Sequence, residues 1–422
     1  MGAVSLTAAA APTKATLLLL ASLYCAQGLP AGLMARSLPV LVRQQGVDLA
    51  LIGRLKLLAL PWMLKVLWAP WVDRLASRRL GHRRGWILPL QGGITLIIGC
   101  LALLSPEDLF SRQQWLLLGL LLLVNLAAAT QDIATDGLTV RLLPERWRGL
   151  GNSLQVGGYK VGMIISGSGL LLAIDALGWN LSLGIVALLL LVLTVPIWRF
   201  RESAAPAVHA ARAEAPGPGL LWRHYQGLLQ QPGMLGWLVV VLAFKLGDAL
   251  GSPMIKPMLV DQGWSNAALG QLTLISSVAG IGGALLGGLL YARLTARSSL
   301  LIFGALQAAG IAAMAVLVTT GADTLLVYSV SLFEQMADGM STVALFAVMM
   351  SFCRAEHEGA DFTLQACVQL LLAGLVGAGS GLLAQWLGYA PLFLLAGALG
   401  LVGLMVVAGY FRGGPVSANV QG

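Results

Sequence analysis

Long apolar stretches separated by short polar connections run along almost the whole chain. Twelve of these stretches are about long enough to cross the hydrocarbon core of a bilayer as a helix, which takes roughly 20 residues. They lie at residues 15–42, 48–72, 86–104, 112–141, 148–174, 179–198, 233–260, 266–290, 299–319, 323–353, 360–386 and 391–411. Because prolines such as Pro30, Pro39, Pro61 and Pro70 lie inside them, we expect tilted and kinked helices.

The twelve stretches form two groups of six, and the polar punctuation of the first group recurs about 217 residues later in the second. The opening stretch of the first group ends in PVLVRQQG, starting at Pro39, and that of the second ends in PMLVDQG, starting at Pro257. Another glycine follows seven residues after each run, at Gly53 and at Gly270. Duplicated six-helix halves are typical of transporters that rock about a central site, so the pattern predicts a carrier.

The predicted fold is an all-α membrane protein with 12 transmembrane helices in two pseudo-symmetric six-helix bundles. We expect one bundle at residues 1–198 and the other at residues 232–422. The segment between them, 199–231, contains the Ala-, Pro- and Gly-rich run RESAAPAVHAARAEAPGPG, which predicts a cytoplasmic linker. A short surface helix is expected around Leu220 to Leu229.

Composition and charge agree with a chain whose solvent is lipid. Hydrophobic residues make up 58% of it, charged residues only 10%, and the mean hydropathy is +0.83. Placing the N-terminus in the cytoplasm puts 17 Lys and Arg residues in cytoplasmic loops and two, Arg43 and Arg112, outside, so both termini are predicted to be cytoplasmic. The net charge of +8 follows from this topology and does not indicate nucleic-acid binding, which would need a soluble basic domain.

The sequence contains no pattern typical of an enzyme. We find no metal-ligand spacing, no nucleophile with a partner base and no phosphate-binding loop, and we therefore predict neither a cofactor nor a metal. The cysteines are scattered through apolar stretches without CxxC spacing. This indicates that they serve as small apolar side chains and do not form disulfides or a metal site. They are Cys25, Cys100, Cys353 and Cys367.

The loop after the second stretch, Pro70 to Arg79, resembles the Asp-Arg…Arg-Arg loop signature of the major facilitator superfamily. That resemblance implies a gate on the cytoplasmic side, where an acid beside arginines holds the two halves together until the carrier opens inward. We expect Asp73 and Arg74 to form this gate, and the remaining arginines to set the topology. The matching turn in the second half, Arg293 to Arg297, lacks the acid.

Four segments are similar to a narrower group within that superfamily. They read LYCAQGLPAGL, LKLLALPWMLKVLWAPWVDR, TQDIATDGL and ERWRGLGNSLQVGGYKVGMIISG, and they resemble the muropeptide-permease branch, which includes siderophore permeases of the rhizobactin and pyochelin type. The chain ends after the twelfth stretch, and the Gln-Gly-Leu-Pro of the first stretch also looks more like the siderophore permeases.

The resemblance implies a monomeric carrier in the inner membrane of a Gram-negative bacterium. We expect it to import a siderophore or its ferric complex by alternating access, in symport with protons. Three alternatives remain open: a permease for a muropeptide or another amphiphilic metabolite, a proton-driven efflux pump, and a membrane sensor that transports nothing.

Charged residues near the middle of the stretches are costly in lipid and are retained mainly where they face a cavity or a partner. A carboxylate that is released from a lysine in one conformation would take up a proton, which is the minimal requirement for proton coupling. Static ion pairs are the alternative. The candidate proton-coupling acids are Asp132, Asp136, Asp248, Glu334 and Asp338.

Residues at similar depth are candidates for binding substrate, with the cations facing an anionic ligand and the neutral side chains stacking on it or hydrogen-bonding to it. The alternative for each residue is that its side chain only contacts a neighbouring helix and does not bind substrate. The candidates are Tyr24, Gln27, Arg36, Trp62, Gln155, Tyr159, Lys160, Lys245, Gln365 and Gln369.

Two patches of glycine recur on helical spacing and predict close packing between helices. One patch consists of Gly280, Gly283 and Gly287, and the other of Gly374, Gly377 and Gly381.

Overall fold

The spans are helices that proline and glycine interrupt. The computed structural model describes residues 11–44, 56–75, 77, 80–202, 219–320 and 323–413. Gly53 of the first repeat and residues 203–218 of the expected linker lie outside this range. The helices are α1 (Lys14–Gly32), α2 (Leu38–Gln44), α3 (Leu60–Leu64), α4 (Ala69–Arg74), α5 (Arg84–Leu103), α6 (Pro106–Ser111), α7 (Gln114–Leu142), α8 (Arg148–Ile164), α9 (Leu170–Arg199), α10 (Leu220–Leu229), α11 (Met234–Phe244), α12 (Leu246–Asp261), α13 (Asn266–Tyr291), α14 (Ala296–Thr320), α15 (Thr324–Ser351), α16 (Glu358–Leu387) and α17 (Tyr389–Gly413).

Several spans are kinked, as the internal prolines predict. A π-helical turn at Leu33–Ser37 joins α1 to α2, and another at Ile165–Gly169 joins α8 to α9. The two turns pack against each other, because the Ser37 hydroxyl donates to the carbonyl oxygens of Ser166 and Gly167 at 2.8 and 2.7 Å. The second span consists of α3, α4 and short 3₁₀ turns, since proline removes helix hydrogen bonds.

Within the described residues, nine helices are long and apolar enough to cross a membrane. One of them, Glu145–Arg199, has 55 residues and would be about 80 Å long if straight, more than twice the roughly 30 Å of a bilayer core. It is divided at Gly178, whose φ of 79° turns the chain back. The 28-residue α15 is not among the nine, and twelve spans stay a prediction.

Helices from the two predicted halves meet along a long interface. In the first half α1 packs on α8 and α5 packs on α7 and α9, whereas in the second half α13 packs on α15 and α14 packs on α17. Contacts between the halves run from α8 to α13 and α15, and from α4 and α7 to α16. The helix expected at Leu220–Leu229 is present as α10.

The outer surface is apolar and the interior contains the polar groups. Leu103, Leu375 and Trp386 are exposed by 82%, 74% and 81%, which suits a surface covered by lipid chains. Ion pairs and polar networks lie inside the helix bundle instead, as described below.

Glycines allow closer helix contacts in one predicted patch than in the other. A Cβ atom added at Gly283 would lie 2.2 Å from the carbonyl oxygen of Met336 on α15, and one at Gly287 would also meet this helix. Gly374 and Gly381 have nothing within 4 Å of such an atom. A Cβ atom at Gly377 would lie 3.5 Å from the Ala249 carbonyl oxygen on α12, so in the second patch this glycine alone faces a neighbouring helix, at an ordinary contact distance.

Gly28 is one of the glycines that allow α1 to approach α8 closely. A Cβ atom there would lie 2.2 Å from the Tyr159 carbonyl oxygen, so we expect Gly28→Ala to lower the stability by about 1–3 kcal/mol through overpacking. The thermal unfolding temperature of the purified protein in detergent measures this effect. Gly92→Ala is the control, because nothing lies within 4 Å of a Cβ at Gly92. Equal unfolding temperatures for the two variants would contradict the expectation.

Candidate functional site

A cavity of about 240 Å³ lies between the two halves of the molecule. The first half contributes most of the polar lining, and the second half contributes Phe346, Phe362 and Ala366. Its walls therefore come from both sides of the interface. The lining residues of the first half are Tyr24, Gln27, Trp62, Lys65, Asp132, Asp136, Gln155, Val156, Tyr159 and Lys160.

An ion pair between Lys65 and Asp132 forms one wall of the cavity. The Lys65 ammonium donates a hydrogen bond to Asp132 Oδ2, and the two side chains are exposed by only 6% and 9%. The ammonium also lies 5.3 Å from the centre of the Trp62 ring, within the range of a cation–π contact. Trp62 is fixed in turn, because its indole N–H donates to Asn125 Oδ1 at 3.1 Å.

Asp136 lies one helical turn after Asp132 on α7 and is held by neutral groups. Its Oδ1 accepts hydrogen bonds from the Tyr24 hydroxyl and the Gln155 amide, both at 3.0 Å. Lys65 pairs with Asp132 and not with Asp136. Two buried carboxylates on one helix face therefore share one directly bonded cation among the described residues, which is an arrangement that can bind and release a proton.

A second polar cluster lies inside the second half. The Lys245 ammonium donates to Asp338 Oδ1 at 2.8 Å, to Ser341 Oγ at 2.9 Å and to Gln307 Oε1 at 3.2 Å. Thr342 also donates to Asp338. Each half thus contains one buried Lys–Asp pair, but only the pair of the first half lines the cavity.

The two remaining predicted proton-coupling acids, Asp248 and Glu334, also lie outside the lining of this cavity. Glu334 is 1% exposed, and its Oε2 accepts from the Gln335 amide at 2.9 Å. Its Oε1 has no hydrogen-bond partner in the part of the chain that the structure describes. Asp248 accepts from Ser252 and borders a small pocket that also touches Gln307.

A buried arginine joins the halves at the ends of the spans where basic residues are concentrated. Arg83 Nη1 donates to Asp73 Oδ1, and Arg83 Nη2 donates to Glu358 Oε2 at 3.0 Å. The backbone N–H of Ala360 donates to Asp73 Oδ2 at 2.7 Å. We call Asp73, Arg83 and Glu358 the Arg83 cluster. It ties α4 and the start of α5 to the start of α16.

The linker helix α10 adds contacts beside the Arg83 cluster. His224 Nε2 lies 3.1 Å from Asp361 Oδ1, and Arg354 Nη2 donates to the same oxygen at 2.7 Å. On the other side of α10, the Tyr225 hydroxyl donates to the Val66 carbonyl at 2.6 Å. Burial lowers the pKa of the adjacent His357 imidazole, and the charges of His224 and Arg354 lower it further. The linker helix therefore contacts both halves.

A family model for the Major Facilitator Superfamily matches residues 16–378. This chain belongs to the Major Facilitator Superfamily. It is therefore a multi-pass membrane transporter, and the superfamily that the sequence predicts is confirmed.

Relatives show which branch of the Major Facilitator Superfamily this chain is similar to. The chain is 29% identical over 409 residues to the anhydromuropeptide permease of Escherichia coli K12, across 94% of this chain and 79% of the relative. It is 23% identical over 387 residues to a putative transporter, AmpG 4, of Rickettsia conorii, across 90% of this chain and 92% of the relative. The resemblance to the muropeptide-permease branch is confirmed, whereas closeness to the siderophore permeases stays a prediction.

Solved structures of the Major Facilitator Superfamily have the same fold. The Escherichia coli fucose:proton symporter superposes with a TM-score of 0.72 at 14% identity, covering 93% of this chain and 98% of the symporter. A bacterial homologue of the iron transporter ferroportin superposes with a TM-score of 0.66 at 16% identity, covering 94% and 99%. At these identities the likeness establishes the fold alone.

Eight of the sequence-predicted residues line the cavity of this major facilitator. They are Tyr24, Gln27, Trp62, Asp132, Asp136, Gln155, Tyr159 and Lys160. The structure places the others outside its lining. These are Arg36, Lys245, Gln365 and Gln369 of the predicted substrate-binding residues, and Asp248, Glu334 and Asp338 of the predicted proton-coupling acids.

Gln365 illustrates why a residue at the right depth misses the cavity. Its amide donates to the Met349 carbonyl at 3.1 Å, and its carbonyl accepts from Trp237 at 2.7 Å. The side chain is fully buried inside the second half and satisfies groups there. For this residue the structure shows the interhelical contact that the sequence left open.

Lys65, Arg83 and Glu358 were not among the predicted site residues. Lys65 lies within the second span, so the rule that singled out Lys160 and Lys245 would also have selected it. For the gate, the sequence pointed to Asp73 and Arg74. Asp73 is in the Arg83 cluster, but Arg74 is exposed and Arg83 takes its place as the partner.

Proposed function

We propose that this transporter imports muropeptides across the inner membrane of a Gram-negative bacterium, as a monomer that alternates between two open states. The observation that supports this most is the combination of a cavity between the halves and 29% identity to an anhydromuropeptide permease over nearly the whole chain. This was the alternative to siderophore import at the level of the sequence, and the relatives favour it.

The chemistry of the cavity suits a ligand of this class. A muropeptide joins an amino sugar to a short peptide, and it therefore presents a ring face, amides and carboxylates. Trp62 and Tyr159 offer aromatic surfaces for the ring, Gln155 offers an amide, and Lys160 offers a cation.

The size of the cavity limits how much of the ligand enters in this conformation. Pockets that enclose whole drug-sized ligands measure roughly 300–1,000 Å³. At about 240 Å³ this cavity admits one end of a muropeptide. The halves would separate further to admit the rest, which fits a carrier whose halves rock apart during its cycle.

The direction of opening follows from the side on which the halves are held together. The Arg83 cluster and α10 bridge the halves at the ends that the charge bias predicts to be cytoplasmic. With that side closed, ligand would enter from the periplasm, and this is the first step of an import cycle.

We further propose that Asp136 carries the coupled proton. Its carboxylate is buried beside the ion pair of Lys65 with Asp132, and it accepts hydrogen bonds from the neutral Tyr24 hydroxyl and Gln155 amide. Protonation would remove one of two neighbouring negative charges and would thereby let the cavity rearrange around the ligand.

Uptake of a radiolabelled anhydromuropeptide into proteoliposomes tests the proposed function. With an acidic exterior we expect accumulation that a protonophore abolishes. We expect Asp136→Asn to retain exchange of labelled for unlabelled ligand and to lose accumulation, because a neutral amide cannot bind and release the proton. Glu107→Gln, at an acid in the α6 connection outside the cavity, is the matched control.

The outcomes separate the alternatives. Uptake of a pyochelin-type siderophore without uptake of the muropeptide would restore the siderophore interpretation. Extrusion of preloaded ligand against its gradient would indicate efflux. The absence of any counterflow would argue for a sensor and would refute transport of both ligands.

A further inference from the structure

Among the described residues, Lys160 is the cavity lysine without a directly bonded carboxylate. It lies on α8 and lines the cavity, and its ammonium donates no hydrogen bond to any of the described residues. Lys65, the other cavity lysine, is bonded to Asp132. An ammonium in a partly buried site without such a bond is available to a ligand anion.

The Lys160 ammonium crosses from the first half to the second at a notch left by Gly280. A Cβ atom added at Gly280 on α13 would lie 2.5 Å from Lys160 Nζ, closer than two such atoms can approach. The same position is 3.3 Å from the Gln335 carbonyl oxygen and 3.5 Å from Gln335 Oε1 on α15. The ammonium therefore occupies the space of the missing side chain, beside α13 and α15.

Lys160 also senses the charge of the second half. It lies close enough to Asp338 for a direct electrostatic interaction, although Asp338 is bonded to Lys245. The ammonium therefore lies between the halves, next to Gly280 and within the electrostatic reach of Asp338.

We infer that the Lys160 ammonium is a subsite for a carboxylate of the substrate, and that Gly280 positions it there. This inference rests on the proposed function, because the carboxylate is that of the peptide end of a muropeptide. We place the peptide end in the cavity because its carboxylate is the group that Lys160 would bind, and the space admits only part of the ligand. The charge-assisted hydrogen bond would select acidic peptides over their amides.

Binding of two forms of one anhydromuropeptide, with free and with amidated peptide carboxylates, tests the subsite. We expect amidation to weaken binding to the wild-type protein about tenfold or more, and to leave the binding of Lys160→Met unchanged. Equal effects of amidation on both proteins would overturn the subsite. Wild-type protein that binds neither form would instead refute the proposed function.

A double-mutant cycle tests the role of Gly280. We expect Gly280→Ala to weaken binding of the acid form as Lys160→Met does, and to have no additional effect when Lys160 is already Met. The matched control is Gly282→Ala, two residues along α13, where a Cβ atom would meet nothing within 4 Å. Additive effects would show that Gly280 acts through packing and would overturn its positioning role.

A measurement without ligand separates position from affinity. In protein carrying ¹³C-methylated lysines, the Lys160 resonance is assigned by its loss in Lys160→Met. We expect Gly280→Ala to shift this resonance and Gly282→Ala to leave it in place. An unshifted resonance in Gly280→Ala would contradict the positioning role, even for a protein that takes up no muropeptide.

Discussion

Replacing Lys65 with methionine is expected to abolish uptake and to lower the stability by about 3–5 kcal/mol, because it leaves the Asp132 carboxylate buried without its counter-charge. The two side chains are only 6% and 9% exposed, so solvent would screen the unpaired carboxylate weakly. Uptake into proteoliposomes and thermal unfolding in detergent measure the two effects. The loss should exceed that of any other single substitution of a cavity residue.

Two further variants show whether the lost charge is the cause. In Lys65→Met with Asp132→Asn the uncompensated carboxylate is gone, so part of the stability should return while uptake stays absent. Lys14→Met, at the exposed first residue of α1, is the control for a methionine replacing a lysine and should unfold like the wild type. An unchanged unfolding temperature for Lys65→Met would refute a structural role for the pair.

Replacing Arg83 with methionine is expected to open the side of the molecule that is predicted to be cytoplasmic. The substitution leaves Asp73 and Glu358 buried next to each other without the guanidinium that holds them together. The halves would therefore part where α16 meets α4 and α5. A cysteine replacing Ser351, which accepts a hydrogen bond from Arg148 across the interface, reports this opening. We expect a water-soluble maleimide to label that cysteine about tenfold faster.

The neighbouring Arg74 provides the control. It is exposed, and exposed charges contribute only about 0–1 kcal/mol to an ion pair, so Arg74→Met should label like the parent protein. Faster labelling in Arg74→Met than in Arg83→Met would return the gating role to Arg74, as the sequence motif suggested. Equal and slow labelling in both would mean that α10 and its contacts are sufficient to hold the halves together.

The fold could be predicted from the sequence because a lipid bilayer restricts the length, the apolar character and the orientation of the segments that cross it. Apolar length, the repeat and the asymmetry of positive charge predict a helical carrier, and the Asp73 motif predicts its superfamily. The breaks in the spans were also expected at prolines such as Pro61 and Pro70. Each of these features is local in the sequence or depends on composition.

The candidate site was only partly predictable, because depth in the membrane does not determine which way a side chain points. Tyr24 and Gln27 line the cavity, whereas Gln365 faces the interior of one half. The sequence also did not show which arginine pairs with Asp73. Arg83 is ten residues away and reaches the carboxylate only because the chain folds back after α4, so sequence proximity favoured Arg74.

The paired π-helical turns have a consequence for comparing this chain with its relatives. A π turn holds one residue more than an α turn, which rotates everything beyond it by about 100° around the helix axis. A helical wheel drawn from Lys14 onwards consequently assigns wrong faces after Ser37, and one drawn from Arg148 does so after Gly169. Because the two turns lie side by side, the faces of both helices rotate at the same depth, and the contact between the two helices is kept beyond them.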